Sequence, residues 1–168
     1  MTVLVAVASR HGSTEEIAHA IGTSLQERGL DAVVVRADEV ENVVGYEAVV
    51  LGSAVYAGRW LEPARSLVYE HVSELAALPT WLFSSGPIGA PPKPEAEEAV
   101  HIDKLMVLTH ARGHRIFAGQ LVRSRLSFAE RAVTRAFHAP EGDFRDWEEI
   151  DAWAGEIAEA LREAQVHA

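Results

Sequence analysis

Short apolar runs that alternate with helical stretches constrain the fold of this 168-residue chain more than any other feature. Between the runs, apolar residues recur at helical spacing, as in Ile17, Ile21 and Leu25. Strands that alternate with helices form a parallel sheet with helices on both faces. Five strands are predicted, at Val3–Ala8, Ala32–Val35, Ala48–Leu51, Thr80–Phe83 and Ile116–Gly119. The sequence therefore indicates a doubly wound α/β fold.

Composition excludes several classes of protein. The chain has no cysteine, so disulfides, thiolate metal sites and thiol catalysis are excluded, and any redox chemistry must come from a bound cofactor. Nearly half of the residues are apolar, yet no run approaches the ~20 apolar residues that cross a bilayer. The first residues enter a strand without the features of a secretory signal. We expect a cytoplasmic protein with one domain over residues 1–168 and no transmembrane segment.

Charge is distributed unevenly along the chain. The formal net charge of −10 argues against a nucleic-acid binder. Residues 141–163 contain nine acidic residues against two arginines, whereas residues 104–135 contain seven basic residues against Glu130 alone. Each block is either a solvated face or a docking surface for a charged partner or an anionic substrate.

Three loops leave the carboxyl ends of predicted strands and share glycines, hydroxyls and small residues: 9–14, 52–60 and 84–89. Ligands of parallel sheets bind at this edge. The first loop ends at a helix N-terminus, where unpaired N–H groups favour an anion. Ser13 and Glu16 there have the spacing of a capping box. Together the loops predict a phosphate site beside a slot for a planar ligand; taken by itself, the first loop could equally be only a helix cap and a turn.

Further helices are expected around the later strands. One begins at Pro63 and extends to Leu75, and another covers roughly 95–110. Residues 127–138 form an amphipathic helix that either packs over the sheet edge or meets a lipophilic or anionic partner, including a membrane surface. Asp146, three residues before Glu149, predicts a second capping box.

Two pairs of side chains are assigned to structure and not to ligand binding. Trp147 and Trp153 fall within the final helix, where core packing is expected. His110 and His114 are four residues apart, but Gly113 interrupts a helix between them and no carboxylate or cysteine adjoins. No metal site is predicted.

The motif Gly12-Ser13-Thr14 and the two later loops make the chain similar to the flavodoxins over nearly its whole length. The resemblance implies five parallel strands in the order 2-1-3-4-5 and an FMN cofactor. One departure is His11, where many flavodoxins have threonine, which removes a hydroxyl donor. The residues implied at the phosphate are Ser9, Arg10, His11, Gly12, Ser13 and Thr14. Those implied at the flavin ring are Ser53, Ala54, Val55, Tyr56, Ala57, Gly58, Trp60, Ser84, Ser85, Gly86, Pro87, Ile88 and Gly89.

The phosphate loop and the C-terminal part of the chain resemble one branch more closely, the flavodoxin-like branch that contains menaquinone-dependent protoporphyrinogen dehydrogenase. That branch has Arg-Asp-Gly-x-Thr where this chain has Arg10-His11-Gly12-Ser13-Thr14. It also has a long segment after the fifth strand, here 122–144, and a final helix that opens near Asp-Trp, here Asp146-Trp147. The second flavin loop departs, with Tyr56-Ala57-Gly58 in place of Arg-Tyr-Gly.

An FMN-dependent redox protein is the function that these patterns favour. Its partners are a redox protein, a quinone or a small-molecule substrate. A quinone-linked dehydrogenase needs a substrate shelf, which the 122–144 segment would supply, whereas an electron carrier needs only an exposed flavin edge. No residue is a convincing catalytic acid or base. A receiver-like module is disfavoured, because Ala8-Ser9 stands where such a module has acidic residues at the end of the first strand. A dinucleotide-binding domain is disfavoured, because no Gly-x-Gly-x-x-Gly follows a strand.

Overall fold

A mostly parallel sheet forms the centre of the computed structural model, which describes residues 1–86, 102–136 and 141–167. Its strands are β1 (Thr2–Ala8), β2 (Asp31–Arg36), β3 (Ala48–Tyr56), β4 (Arg59–Trp60), β5 (Thr80–Ser85) and β6 (Gly113–Phe117). The order is β2-β1-β3-β5-β6, all parallel, with β4 antiparallel to β3. Counting the five parallel strands alone, this is the predicted order, so the fold prediction is confirmed.

Six α-helices lie in the described ranges, and a two-stranded sheet lies outside the main one. The helices are α1 (Ser13–Glu27), α2 (Glu62–Glu70), α3 (Val72–Ala77), α4 (Asp103–Thr109), α5 (Phe128–Ala136) and α6 (Trp147–Val166). The small sheet pairs β7 (Gln120–Leu121) antiparallel with β8 (Gly142–Asp143). It joins the two ends of the 122–144 segment, which contains α5.

The central strands β1, β3 and β5 are covered on both faces, since nearly all of their residues are buried. In β1, the side chains of Val3, Val5 and Val7 pack on one face with α1 and α6. Leu4 and Ala6 pack on the other face, with α2, α3 and α4. Each fully buried aliphatic side chain contributes roughly 1.5–3 kcal/mol, which stabilises a sheet enclosed between two helical layers.

Some helical boundaries differ from the sequence predictions. The helix expected from Pro63 to Leu75 is two helices, because His71 leaves helical geometry between α2 and α3 with a φ of −125°. The helix expected over 95–110 is described from Asp103 to Thr109, and its first part lies outside the described residues. His110 ends that helix with a φ of +49°, so it does not share a helical face with His114.

The aromatic residues divide between core and surface. Phe83, Phe117 and Trp153 form a buried cluster, with ring centroids 5.5 to 6.1 Å apart. Core packing is therefore confirmed for Trp153, but it is wrong for Trp147, which is 44% exposed. Trp147 lies instead against the guanidinium of Arg145, 4.7 Å from its ring centre.

Candidate functional site

The carboxyl ends of β1, β3 and β5 meet at one edge of the sheet. Ala8 pairs with Ser53, which pairs in turn with Ser84, and Ala54 pairs with Ser85. The three predicted loops therefore begin side by side. This edge of the sheet therefore combines a helix N-terminus, a tight turn and several hydroxyl groups.

The first loop turns into α1 through Gly12, which has a φ of +89° and is the residue that precedes the helix. The backbone N–H of Gly12 donates to Ser9 Oγ at 3.1 Å, which closes the turn. The predicted capping box is wrong, because Ser13 is already the first helical residue and no side chain caps the helix. The first N–H groups of α1 have no intrahelical partner, so they remain available to an anion.

Arg10 and His11 contact a carboxylate from the 122–144 segment. Glu130 Oε1 lies 3.3 Å from Arg10 Nη1, and Glu130 Oε2 lies 2.6 Å from His11 Nε2. Burial raises the pKa of Glu130, but hydrogen bonds and charge from His11 and Arg10 outweigh it and hold this pKa below its usual value. Sequence reasoning missed Glu130 as a site residue. Its signal was its position as the lone acidic residue in a basic block.

The second loop is shorter than predicted. β3 continues to Tyr56, so the expectation of a loop from Gly52 is wrong for residues 52–56. Small side chains made this stretch resemble a loop, but Gly52 is required by packing: a Cβ there would lie 2.1 Å from the Phe83 ring. The turn itself is Ala57 and Gly58, both with positive φ, as in a two-residue hairpin of the primed type.

Trp60 and Tyr56 flank this turn in different environments. Trp60 is 3% exposed and packs in the core beneath the turn. Its indole N–H donates to Ser84 Oγ at 2.7 Å, and Ser84 Oγ lies 2.8 Å from Nε2 of His114. Sequence reasoning also missed this His114 contact, because it joins neighbouring strands diagonally: Ser84 pairs with Ile116, and His114 pairs with Leu82.

Tyr56 is partly exposed at the edge of the site. The Arg10 guanidinium lies 4.4 Å from its ring centre. Burial raises the pKa of the Tyr56 phenol, with a further increase from Glu130 and an opposing effect from Arg10. The phenol therefore stays a neutral hydrogen-bond donor across the physiological range.

The third loop starts at a buried hydroxyl. Ser85 Oγ is inaccessible and has no hydrogen-bond partner within the ranges that the structure describes. Gly86 follows with a φ of +67°, and its backbone packs closely on Gly119, where a Cβ would lie only 2.4 Å from Gly86 Cα. The remaining predicted residues of this loop, Pro87, Ile88 and Gly89, lie outside the described residues.

Ser53 and Thr14 complete the set of hydroxyls at this edge. Ser53 Oγ donates to the carbonyl of Ala54 at 2.8 Å and accepts from the N–H of Leu61 at 2.9 Å. It therefore fixes the hairpin. Thr14 is 2% exposed in the first turn of α1.

Arg145 fastens the end of the 122–144 segment to the start of α1. It is 5% exposed and pairs with Asp143 at 2.8 Å and with Glu16. It also donates to the carbonyl of Ser13 at 3.3 Å. The hydrogen bond with Asp143, together with the contact with Glu16, raises the pKa of Arg145, and the Arg145 guanidinium lowers the pKa of Asp143. Sequence reasoning missed Arg145, since nothing in the pattern relates residue 145 to residue 13.

Comparison with known proteins agrees with this geometry. The family model described as a flavodoxin domain matches residues 4–147. The chain belongs to the flavodoxin domain family. Protoporphyrinogen IX dehydrogenase [quinone] from Escherichia coli K12 is 24% identical over 172 aligned positions, which cover 94% of this chain and 95% of that protein.

Solved flavodoxins share the fold. A flavodoxin from the domain Archaea superposes with a TM-score of 0.63 at 18% identity, covering 96% of this chain and 99% of that one. Flavodoxin 2 from Bacillus cereus gives a TM-score of 0.61 at 20% identity, with the same coverage. The resemblance inferred from the sequence is thereby confirmed. No helix within the described ranges is long and apolar enough to span a membrane.

The residues present fit a flavin, the cofactor that membership of this family implies. The N-terminus of α1 has no side-chain cap and can receive an anion, and the buried Ser85 hydroxyl supplies an unused polar atom at the same edge. Gly86 and Gly119 lack side chains, which lets their backbones approach closely at this edge. The family and its redox relatives support an oxidoreductase role.

Proposed function

We propose that this protein binds FMN at the carboxyl edge of β1, β3 and β5 and transfers electrons through it. The observation that carries the proposal is the placement of the Gly12 turn and the α1 N-terminus beside the hydroxyl-bearing ends of β3 and β5. Bound FMN would supply the redox chemistry.

The chain's own residues have the tasks of binding and orienting. N–H groups of Ser13 and Thr14, with the Ser9 and Thr14 hydroxyls, would hold the phosphate. Tyr56 lies at the rim of the ring slot, and aromatic faces favour offset stacking on a flat partner. Trp60 supports the turn from below through Ser84. A cytoplasmic location stays a prediction from the cysteine-free composition.

The 122–144 segment favours electron exchange with a quinone over a simple carrier. Its helix α5 presents Phe128, which is 91% exposed, together with exposed Arg131 and Arg135. An apolar side chain flanked by cations suits a lipophilic or anionic reactant. The 24% identical relative, whose name includes a quinone acceptor, adds to this argument.

The decisive experiment starts from an absorbance spectrum of the purified protein and identification of any released cofactor. FMN affinity is then measured by fluorescence titration for the parent and for a Ser9→Ala, Thr14→Val double variant. Each change removes a donor to a charged oxygen, at about 1.5–3 kcal/mol apiece, so affinity for FMN should fall far more than affinity for riboflavin, which lacks the phosphate. Equal FMN affinity in both proteins would place the phosphate elsewhere.

A further inference from the structure

Glu130 has an environment unlike that of its neighbours on α5. The described side chains around it, from Phe128 to Arg135, are exposed, whereas the Glu130 side chain is 14% exposed. The Ser127 hydroxyl accepts from the Glu130 N–H at 3.3 Å, which starts the helix at this point. The Glu130 carboxylate of α5 therefore faces inward, toward the loop after β1.

The Glu130 carboxylate contacts side chains of the loop after β1 and not the backbone N–H groups at the start of α1. Its two oxygens are used by Arg10 and His11, at 3.3 and 2.6 Å. The Arg10 guanidinium is also stacked over the Tyr56 ring. Among the described contacts, Glu130 forms none with the N–H groups of Ser13 or Thr14 that open α1.

We infer that the contact of Glu130 with Arg10 and His11, here called the clasp, holds α5 over the phosphate loop. Arg10 and His11 therefore do not bind the phosphate. This inference rests on the proposed function, and it gives Arg10 and His11 the role of slowing flavin release. The clasp spans 119 and 120 residues of sequence, so it couples the loop after β1 to the segment after β6. A flavin that leaves the site must wait for this contact to open.

Dissociation rates of two flavins test the assignment. Stopped-flow release of FMN and of riboflavin is measured for the parent, Glu130→Ala, Arg10→Gln, His11→Gln and the Arg10→Gln, Glu130→Ala double variant. Alanine keeps high helix propensity. The matched control is Glu163→Ala, because Glu163 is an exposed glutamate on α6, remote in sequence from the loop.

Loss of a charge-assisted hydrogen bond should speed release roughly tenfold or more. The same factor is expected for FMN and riboflavin, since the clasp does not touch the phosphate. The Arg10→Gln, Glu130→Ala double variant should release flavin no faster than Glu130→Ala, because Glu130→Ala already removes the contact with Arg10. Glu163→Ala should behave as the parent.

Three results would overturn the clasp. If Arg10→Gln and His11→Gln weaken FMN binding and spare riboflavin, these residues grip the phosphate. If Glu130→Ala slows FMN release, the carboxylate competes with the phosphate for the loop. Unchanged release of both flavins from Glu130→Ala would show that α5 does not restrain them.

A second readout needs no flavin. Amide hydrogen exchange in flavin-free protein should accelerate across α5 in Glu130→Ala and in the Arg10→Gln, His11→Gln double variant, with α1 and α6 unchanged. Unaltered exchange in α5 would refute the clasp even if FMN binds. If the parent binds neither flavin, the proposed function fails, whereas faster exchange in α5 would still establish the contact.

Discussion

Tyr56 and Trp60 flank the same two-residue turn but have different surroundings, which separates their expected roles. Tyr56→Ala should change the visible absorbance or fluorescence of bound flavin, because we propose that its ring lies at the rim of the flavin slot. Trp60→Phe should leave the flavin spectrum unchanged. It should instead lower the free energy of unfolding by about 1–3 kcal/mol, since the buried Ser84 hydroxyl loses its donor. Urea titration measures this loss. A spectral change in Trp60→Phe alone would reverse the two assignments.

Gly12 tests whether backbone conformation prepares the anion site. Its φ is +89°, and a Cβ there would meet nothing within 4 Å. Gly12→Ala therefore changes only backbone strain, at roughly 1 kcal/mol. Gly29 is a matched control, with a φ of +84° and the same open surroundings. Both variants should lose similar stability in denaturant, but only Gly12→Ala should bind FMN more weakly. Equal FMN affinity in the two would separate the turn from the cofactor.

At the scale of elements, the two predicted capping boxes show what local pattern can decide. Asp146 caps α6, and its carboxylate accepts from the Glu149 N–H at 3.1 Å. Ser13 has the same spacing to Glu16, but Gly12 carries the turn and Ser13 becomes helical. The sequence predicted both helices correctly. It could not identify the first cap, because the αL conformation of Gly12 displaces the start by one residue.

Strand ends were predicted less well than strand order. Apolar runs locate the five parallel strands, since buried parallel strands are apolar throughout. The site depends instead on contacts between distant residues, such as Ser84 with His114 and Arg145 with Ser13. Strand register and the return of the 122–144 segment create those contacts. The sequence therefore predicted that the three loops begin at one edge of the sheet, but not which side chains pair there.

The position of α5 should depend on pH through Glu130. Its pKa in the folded protein is below the usual value, so the clasp contributes stability above the ordinary Glu pKa of about 4.3 and loses it as pH falls through the folded value. The groups facing Glu130 are Arg10, His11 and the Tyr56 phenol. The difference in unfolding free energy between parent and Glu130→Ala should therefore be larger at pH 7 than at pH 3. A difference independent of pH would mean that the carboxylate charge does not hold α5.

Across the whole molecule, part of the charge asymmetry is already paired internally. Arg115 in the basic block lies 3.0 Å from Glu156 on α6, and Arg28 pairs with Asp151 at the same distance. These contacts fasten α6 to the sheet and to α1. On α5, the side chains of Arg131 and Arg135 are exposed to solvent. The interpretation of the basic block as a docking surface therefore applies mainly to the 122–144 segment.

Electron transfer to a quinone tests that interpretation. The bound flavin is reduced anaerobically, mixed with a menaquinone analogue and followed by absorbance in the parent and in a variant with Arg123, Arg125, Arg131 and Arg135 changed to glutamine. FMN affinity should barely change, because the phosphate contacts proposed above lie on the α1 loop. Flavin reoxidation should be slower in the variant, because these arginines attract or bind the acceptor. Added salt should lower the reoxidation rate of the parent but not that of the variant. Changing Arg36, Lys104, Arg112 and Arg162 to glutamine removes the same charge elsewhere and is the control. Equal rates in parent and variant across the salt series would leave the segment as a cover of the site and favour a simple electron carrier.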